Sequence, residues 1–490
     1  METSTMMPRL RAAIALATML SLGLTAASAA TRHVNVNLTT GADDGTSWAN
    51  AYRTVDGLAR ALTAAVAGDE IWVAAGTYKP TTTTTRTIYH NLKTGVAIYG
   101  GFDGTEATRD QRDFSANATI LSGDIGNNDP VVTDNSFHVV DGASAGATAI
   151  LDGFTITAGN ASGATATDRD KGGGLIFLNA SNATIRNLRI VGNRSTFGGG
   201  GTYIRSSSPT FVDVVWQGNA GGSFGGAIDM FTNCNPSFTR CQFIGNNATR
   251  AGGVEVFGTC MPNFFNCVFR GNTAGNQGAG GVLSASSSTV TLRHCTIVGN
   301  TTTGSGSGVL TSGSTTRLFN CIVWGNTASG GSTANQLSGT VTQTTYSLVQ
   351  GGFAGTGNIS TAPIFVDQAG GDLHLDTTSP GIDAARNADS GAGNTLDLDS
   401  NARFVDDPAT ADTGVGTPPI ADMGAYEFQA APEPCIGDLD GDRFIGLSDL
   451  AILLANFGCA IECTGDVDGD GDVDLTDLAN LLGVFGTACP

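Results

Sequence analysis

Apolar positions recur through the middle of the chain in short runs, each closed by a Gly-Asn pair. The runs RNLRIVGN, VDVVWQGN, TRCQFIGN, FNCVFRGN, RHCTIVGN and FNCIVWGN end at Asn193, Asn219, Asn246, Asn272, Asn300 and Asn326, spaced 26, 27, 26, 28 and 26 residues apart. Each repeat opens on a glycine-rich bend and a second short run: GGLIF, GGTYI, GGAID, GGVEV, GGVLS and SGVLT. Runs this short, rich in Val, Ile and Phe, predict strands rather than helices. One such unit cannot bury its own apolar face, so the units must stack.

One coil of a parallel β-helix fits this period, which makes the chain all-β over most of its length. Stacked coils lie about 4.8 Å apart, so equivalent residues of successive coils touch. The fifth position before each Asn reads Leu188, Val214, Cys241, Cys267, Cys295 and Cys321, an expected inward column. Cys234 and Cys260 form a second. Free buried thiols are preferred over a vertical bridge such as Cys241–Cys267, because strand pairing does not hold backbones at bridge geometry. The Asn column is expected to combine left-handed turns at the Asn residues with amides hydrogen-bonded from coil to coil.

The solenoid starts upstream of the clean repeats. Strand-like segments sit at Glu70–Val73, Val96–Tyr99, Thr119–Leu121, His138–Val140 and Ile150–Ile156. From Thr54, an amphipathic stretch with Leu58, Leu62 and Ala65 on one face predicts a helix that plugs the open end. Residues 30–66 thus form an N-terminal cap and 67–429 the β-helix. Asp397 to Glu427 loses the period and reads as a closing cap.

Composition adds the setting. Glycine supplies 69 of 490 residues and only 14% are charged, as a turn-dense β chain requires. Lys and Arg total 24 against 44 acids, which argues against a nucleic-acid partner. Arg9 and Arg11, the apolar run Ala12–Leu24 and the sequence Ala27-Ser28-Ala29 read as a signal peptide over 1–29. No later segment has transmembrane length, so a secreted or cell-surface protein is expected, in a compartment where disulfides form.

Residues 430–434, AAPEP, read as a stiff linker. Beyond it, 435–490 hold eleven acids and one arginine, half the net charge of −20. The segment is a tandem duplication: DLDGDRFIGLSD from Asp438 and DVDGDGDVDLTD from Asp466. Alternate positions of such a loop aim carboxylates at one centre, as a hard cation such as Ca²⁺ needs. The candidate ligands are Asp438, Asp440, Asp442 and Asp449, then Asp466, Asp468, Asp470 and Asp477. Position seven, Phe444 or Asp472, would add a backbone carbonyl. Two calcium ions are expected, the first held more weakly, since Arg443 stands where Gly471 stands in the second loop. Leu450, Leu453, Leu454 and Phe457 recur as Leu478, Leu481, Leu482 and Phe485, one expected helix face per loop. Pseudo-twofold symmetry favours Cys435–Cys489 and Cys459–Cys463 bridges; pairing within each repeat is the rival.

GGAI with FIGN and FRGN resembles the repeats of chlamydial polymorphic outer-membrane proteins. TSWANAYRTVDGLARAL, GDEIWVAAGTYKP, IYGGFDGTEATRDQRD, SPGIDAA and ADMGAYEF are similar to segments of bacterial right-handed parallel β-helix surface proteins. That resemblance spans roughly Val34 to Gln429 and implies a right-handed, pectate-lyase-like solenoid. The tail resembles a type I dockerin, an EF-hand-like all-α calcium module. It implies a cohesin-like protein or a cell-envelope component as partner, although Leu447 and Leu475 occupy positions that are often polar in dockerins.

No catalytic signature of polysaccharide lyases or glycoside hydrolases appears. The weak candidates are Asp229 and Glu255, at near-equivalent points of adjacent coils. Asp168, Arg169, Asp170 and Lys171 form one charged loop, expected to be a solvated turn, and His294, beside an inward cysteine, is expected at the surface. Two functions stay open. One is a binding protein whose solenoid meets polysaccharide or another cell, with the tail as attachment; the other is a polysaccharide lyase or O-glycosyl hydrolase carried by the same tail.

Overall fold

Parallel strands one coil apart must present the same side chain to the same neighbour, and the repeats do so on three faces. The computed structural model describes residues 29–276, 278–304, 306–333, 336–429, 435–460 and 463–487. The expected signal peptide, but for its last residue, and the linker 430–434 lie outside the described residues. The coils number about ten.

The first face stacks Leu175–Phe177, Thr202–Arg205, Ile228–Phe231, Val254–Phe257 and Val282–Ala285 in unbroken parallel register. The second stacks Glu70–Ala74, Ala97–Phe102, Ile150–Thr157, Thr184–Val191 and Thr210–Gln217, then continues as pairs of short strands. The third is a ladder of two-residue strands from Asn160–Ala161 to Thr301–Thr302. Thr31–Val34 already pairs with Glu70–Ala74, so the N-terminal cap contains a rung of the solenoid. Its helix, Gly57–Ala64, buries Leu58, Ala61 and Leu62.

The interior is columnar. Phe211, Phe238 and Phe264 stack with ring centroids 4.9 and 4.6 Å apart, and Trp216, Phe243 and Phe269 do so at 4.9 and 4.5 Å. Cys241, Cys267, Cys295 and Cys321 are buried free thiols, as are Cys234 and Cys260. Each thiol of the column of four approaches a backbone carbonyl of the preceding coil at 3.5–3.8 Å.

The Asn column forms the expected coil-to-coil amide ladder, but its left-handed turns fall one residue earlier than expected. From Asn193 to Asn300, each Nδ2 donates to Oδ1 of the Asn one coil on, at 2.8–3.2 Å, and Asn326 donates to Gln336 Oε1. The left-handed residue is the glycine before each Asn, from Gly192 to Gly325, with φ of +62° to +67°. Glycine takes that conformation without a Cβ clash, which frees Asn to remain buried and paired.

Left-handed non-glycine residues sit elsewhere, in register midway along the second face: Asn187, Asp213, Arg240, Asn266, His294 and Asn320. They bend each strand and turn a polar side chain out of the core. Three of them receive the C-terminal segment, which corrects two expectations. The segment does not simply close the end of the stack; it lies along the flank of the coils. Its Arg403, wholly buried, donates to Asn266 Oδ1 at 2.9 Å, and Asn266 donates to Leu396 O. His294 is buried rather than at the surface, with Nε2 2.7 Å from Ser390 Oγ and Nδ1 3.0 Å from Asp422 O. The sequence places His294 outside the coil, but long-range packing covers it.

The tail carries helices Leu447–Ala455 and Leu475–Gly483 around a core of Ile445, Leu453, Val473 and Leu481. Only part of each expected face is buried. Leu454, Leu482, Phe457 and Phe485 are exposed, because so short a module has no second layer to cover them. Cys459–Cys463 forms a disulfide. Cys435 is also disulfide-bonded, while its expected partner Cys489 lies outside the described residues. No helix among the described residues is long and apolar enough to cross a membrane.

Candidate functional site

Strand alternation on the first face sends Ile228, Met230, Val254 and Val256 inward, and Asp229, Phe231, Glu255 and Phe257 outward. Asp229 pairs with Glu255 in register, and Tyr203 with Asp229 one coil earlier. An outward residue on a solenoid is normally wet. These are not: Asp229 is 4% exposed and Glu255 1%. Loop residues Phe197, Phe224 and Arg250 help wall them into a cleft of about 390 Å³. Asp229 packs directly against Gly198, where a Cβ would overlap its Oδ2.

Charge in the cleft is nearly balanced. Lys171 Nζ lies 2.7 Å from Asp170 and 3.6 Å from Asp168, and Arg205 pairs with Asp168 at 2.9 Å. Arg250 reaches Glu255 Oε1 at 3.2 Å, while Glu255 Oε2 is buried with no hydrogen-bond partner. Burial pushes Asp229 up to about 7 against the pull of Lys171 and Arg250. Burial, then the charge of Asp229, pushes Glu255 up to about 8. Three cations thus face four acids, and a single proton on the Asp229–Glu255 pair makes the count even. Lys171 sits 4.7 Å from the Phe197 ring centroid, and Phe231 stacks on Phe257 at 5.4 Å.

The pair was legible in the sequence as two acids one period apart. The charged loop departs from the solvated turn expected of it: Asp170 and Lys171 are buried side chains lining or supporting the cleft. The aromatic walls were missed. Their signal was the same period, since Phe197 and Phe224 are 27 residues apart and Phe231 and Phe257 are 26.

The second candidate is the tail. Asp438, Asp440 and Asp449 bring carboxylate oxygens within 4.8 Å of one another, as do Asp466, Asp468 and Asp477. The two loops fold alike: Asp449 takes the amides of Leu439, Asp440 and Gly446, and Asp477 those of Val467, Asp468 and Asp474. Asp442 and Asp470 stand outside these groups; their Oδ1 atoms accept the amides of Phe444 and Asp472. Asp472, expected to offer its carbonyl, brings its carboxylate close to those of Asp474 and Asp477, and its Oδ1 is buried without a partner. Phe444 is exposed. The charge of Asp470, then burial, pushes Asp472 above the ordinary carboxylate range. An all-oxygen donor set under mutual repulsion fits a hard cation. Arg443 adopts φ +66°, the left-handed conformation that Gly471 takes at +100° without strain.

A family model described as a right handed beta helix region matches residues 249–362. Among solved structures the chain is similar to the pectate lyase Pel9A, at 15% identity, a TM-score of 0.43, and coverage of 82% of this chain and 97% of that one. No curated protein matches.

Proposed function

We propose that this is an exported β-helix protein that takes a glycan segment into the cleft over Tyr203, Asp229 and Glu255. In this reading the tail binds calcium, resembles a dockerin, and attaches the protein to a cohesin-like or cell-envelope partner. The observation that carries the reading is the Asp229–Glu255 pair beside the stacked Phe231 and Phe257. Sugars offer apolar C–H faces to aromatic rings and hydroxyls to carboxylates, and the near-neutral charge of the site suits a polar ligand of low charge. Glycan-array binding by the full chain tests it. Phe231→Ala with Phe257→Ala should abolish binding, and binding that survives both changes would refute the cleft as its site.

A second reading, glycoside hydrolysis, is favoured by the unpartnered Oε2 of Glu255. A carboxyl kept protonated near neutral pH can donate that proton to a leaving glycosidic oxygen, while an ionised neighbour supports developing positive charge. Here Glu255 would be the acid and Asp229 the carboxylate. Release of reducing ends, lost in Glu255→Gln with binding retained, would establish this reading over simple binding.

A further inference from the structure

A third group of acids lies in the segment along the flank of the coils, apart in sequence from the tail. Asp383, Asp406 and Asp412 bring carboxylate oxygens within 4.8 Å of one another. Clustered acids are common and mean little alone. Asp383 differs because it is wholly buried and nearly all its polar atoms are satisfied. Its N–H donates to Asp422 Oδ1 at 2.8 Å, its carbonyl takes the amides of Thr413 and Gly414, and Oδ2 takes the amide of Asp407. Oδ1 alone has no hydrogen-bond partner. Among the described residues no Lys, Arg or His forms an ion pair with any of the three acids. A buried carboxylate with one oxygen lacking a donor, grouped with two further carboxylates, costs free energy until a cation joins them.

We propose that Asp383, Asp406 and Asp412 form a calcium site that fastens the 406–412 loop onto the flanking segment. The donors are all hard oxygens, which excludes a soft-metal preference. Ca²⁺ holds oxygens at about 2.3–2.6 Å, so ligands on opposite sides stand about 4.6–5.2 Å apart, whereas Mg²⁺ demands a tighter, near-ideal octahedron. Asp406 and Asp412 are exposed, which leaves room for water to complete the larger shell. The ion would tie residues 406 and 412 to residue 383 and so order the loop between them.

Hydrogen exchange on the full chain, read peptide by peptide, separates this site from the tail loops. With Ca²⁺ about tenfold above its dissociation constant, exchange in peptides spanning 406–414 should slow about tenfold relative to chelator. Asp406→Asn with Asp412→Asn, both at exposed positions, should abolish that protection and lower bound calcium by one ion per chain, leaving protection of 438–449 and 466–477 intact. Calcium-independent exchange over 406–414, or unchanged stoichiometry in the double variant, overturns the site. Equal protection by Mg²⁺ at the same concentration overturns its assignment to calcium.

Discussion

Asn246 Nδ2 lies 3.0 Å from Asn272 Oδ1, one coil on, and neither side chain has any solvent exposure. Asn246 also donates to Trp216 O, and its own Oδ1 accepts from the amide and side chain of Asn219. Removing the amide therefore strands donors and an acceptor in neighbouring coils. Asn246→Ala should cost about 1–3 kcal/mol in denaturant unfolding. The exposed Asn235→Ala should cost about 0.5 kcal/mol or less. Equal losses would show that the ladder contributes nothing special.

The Asp229–Glu255 pair makes stability depend on pH. Both groups hold a proton more tightly in the folded chain, up to about 7 and about 8, than in the unfolded one. Their favourable contribution is complete below about pH 4 and is lost as pH rises through the folded values. Between pH 4 and 9 the full chain should lose several kcal/mol that Asp229→Asn with Glu255→Gln does not lose. Parallel pH profiles for the two proteins would rule out the shared proton.

Arg443 marks the two tail loops as unequal. Calcium should bind the second loop first, so Asp466→Ala weakens the tighter step and Asp438→Ala the looser one. Arg443→Gly relieves a left-handed non-glycine residue, worth about 1 kcal/mol, and should tighten the looser step about fivefold. Calorimetric titration of the full chain resolves the steps. A tighter first loop in the parent protein would contradict the assignment.

Six thiols lie inside the coils. A small alkylating reagent should label none of them in the native chain and all six after unfolding. Labelling that matches the rate of global unfolding, not of local opening, is the expected kinetic signature. Rapid native labelling of Cys267 would mean that the core is open to solvent there.

The period of Gly-Asn pairs, with apolar residues at fixed offsets before them, determined the coils, the inward cysteines, the Asn ladder and the register of Asp229 with Glu255. Such features repeat once per coil, and a parallel stack turns equal spacing in sequence into contact in space. The duplicated Asp loops and the helix Gly57–Ala64 were legible for a related reason, since their patterns are local. Tertiary structure decided what has no period. His294 is buried only because Ser390 and Asp422, about a hundred residues away or more, arrive on the flank. Asp383 meets Asp406 and Asp412 through the same irregular segment. These contacts join stretches of chain that share no repeat, so nothing in the spacing of residues encodes them; they exist only once the coils offer a surface on which the segment can pack.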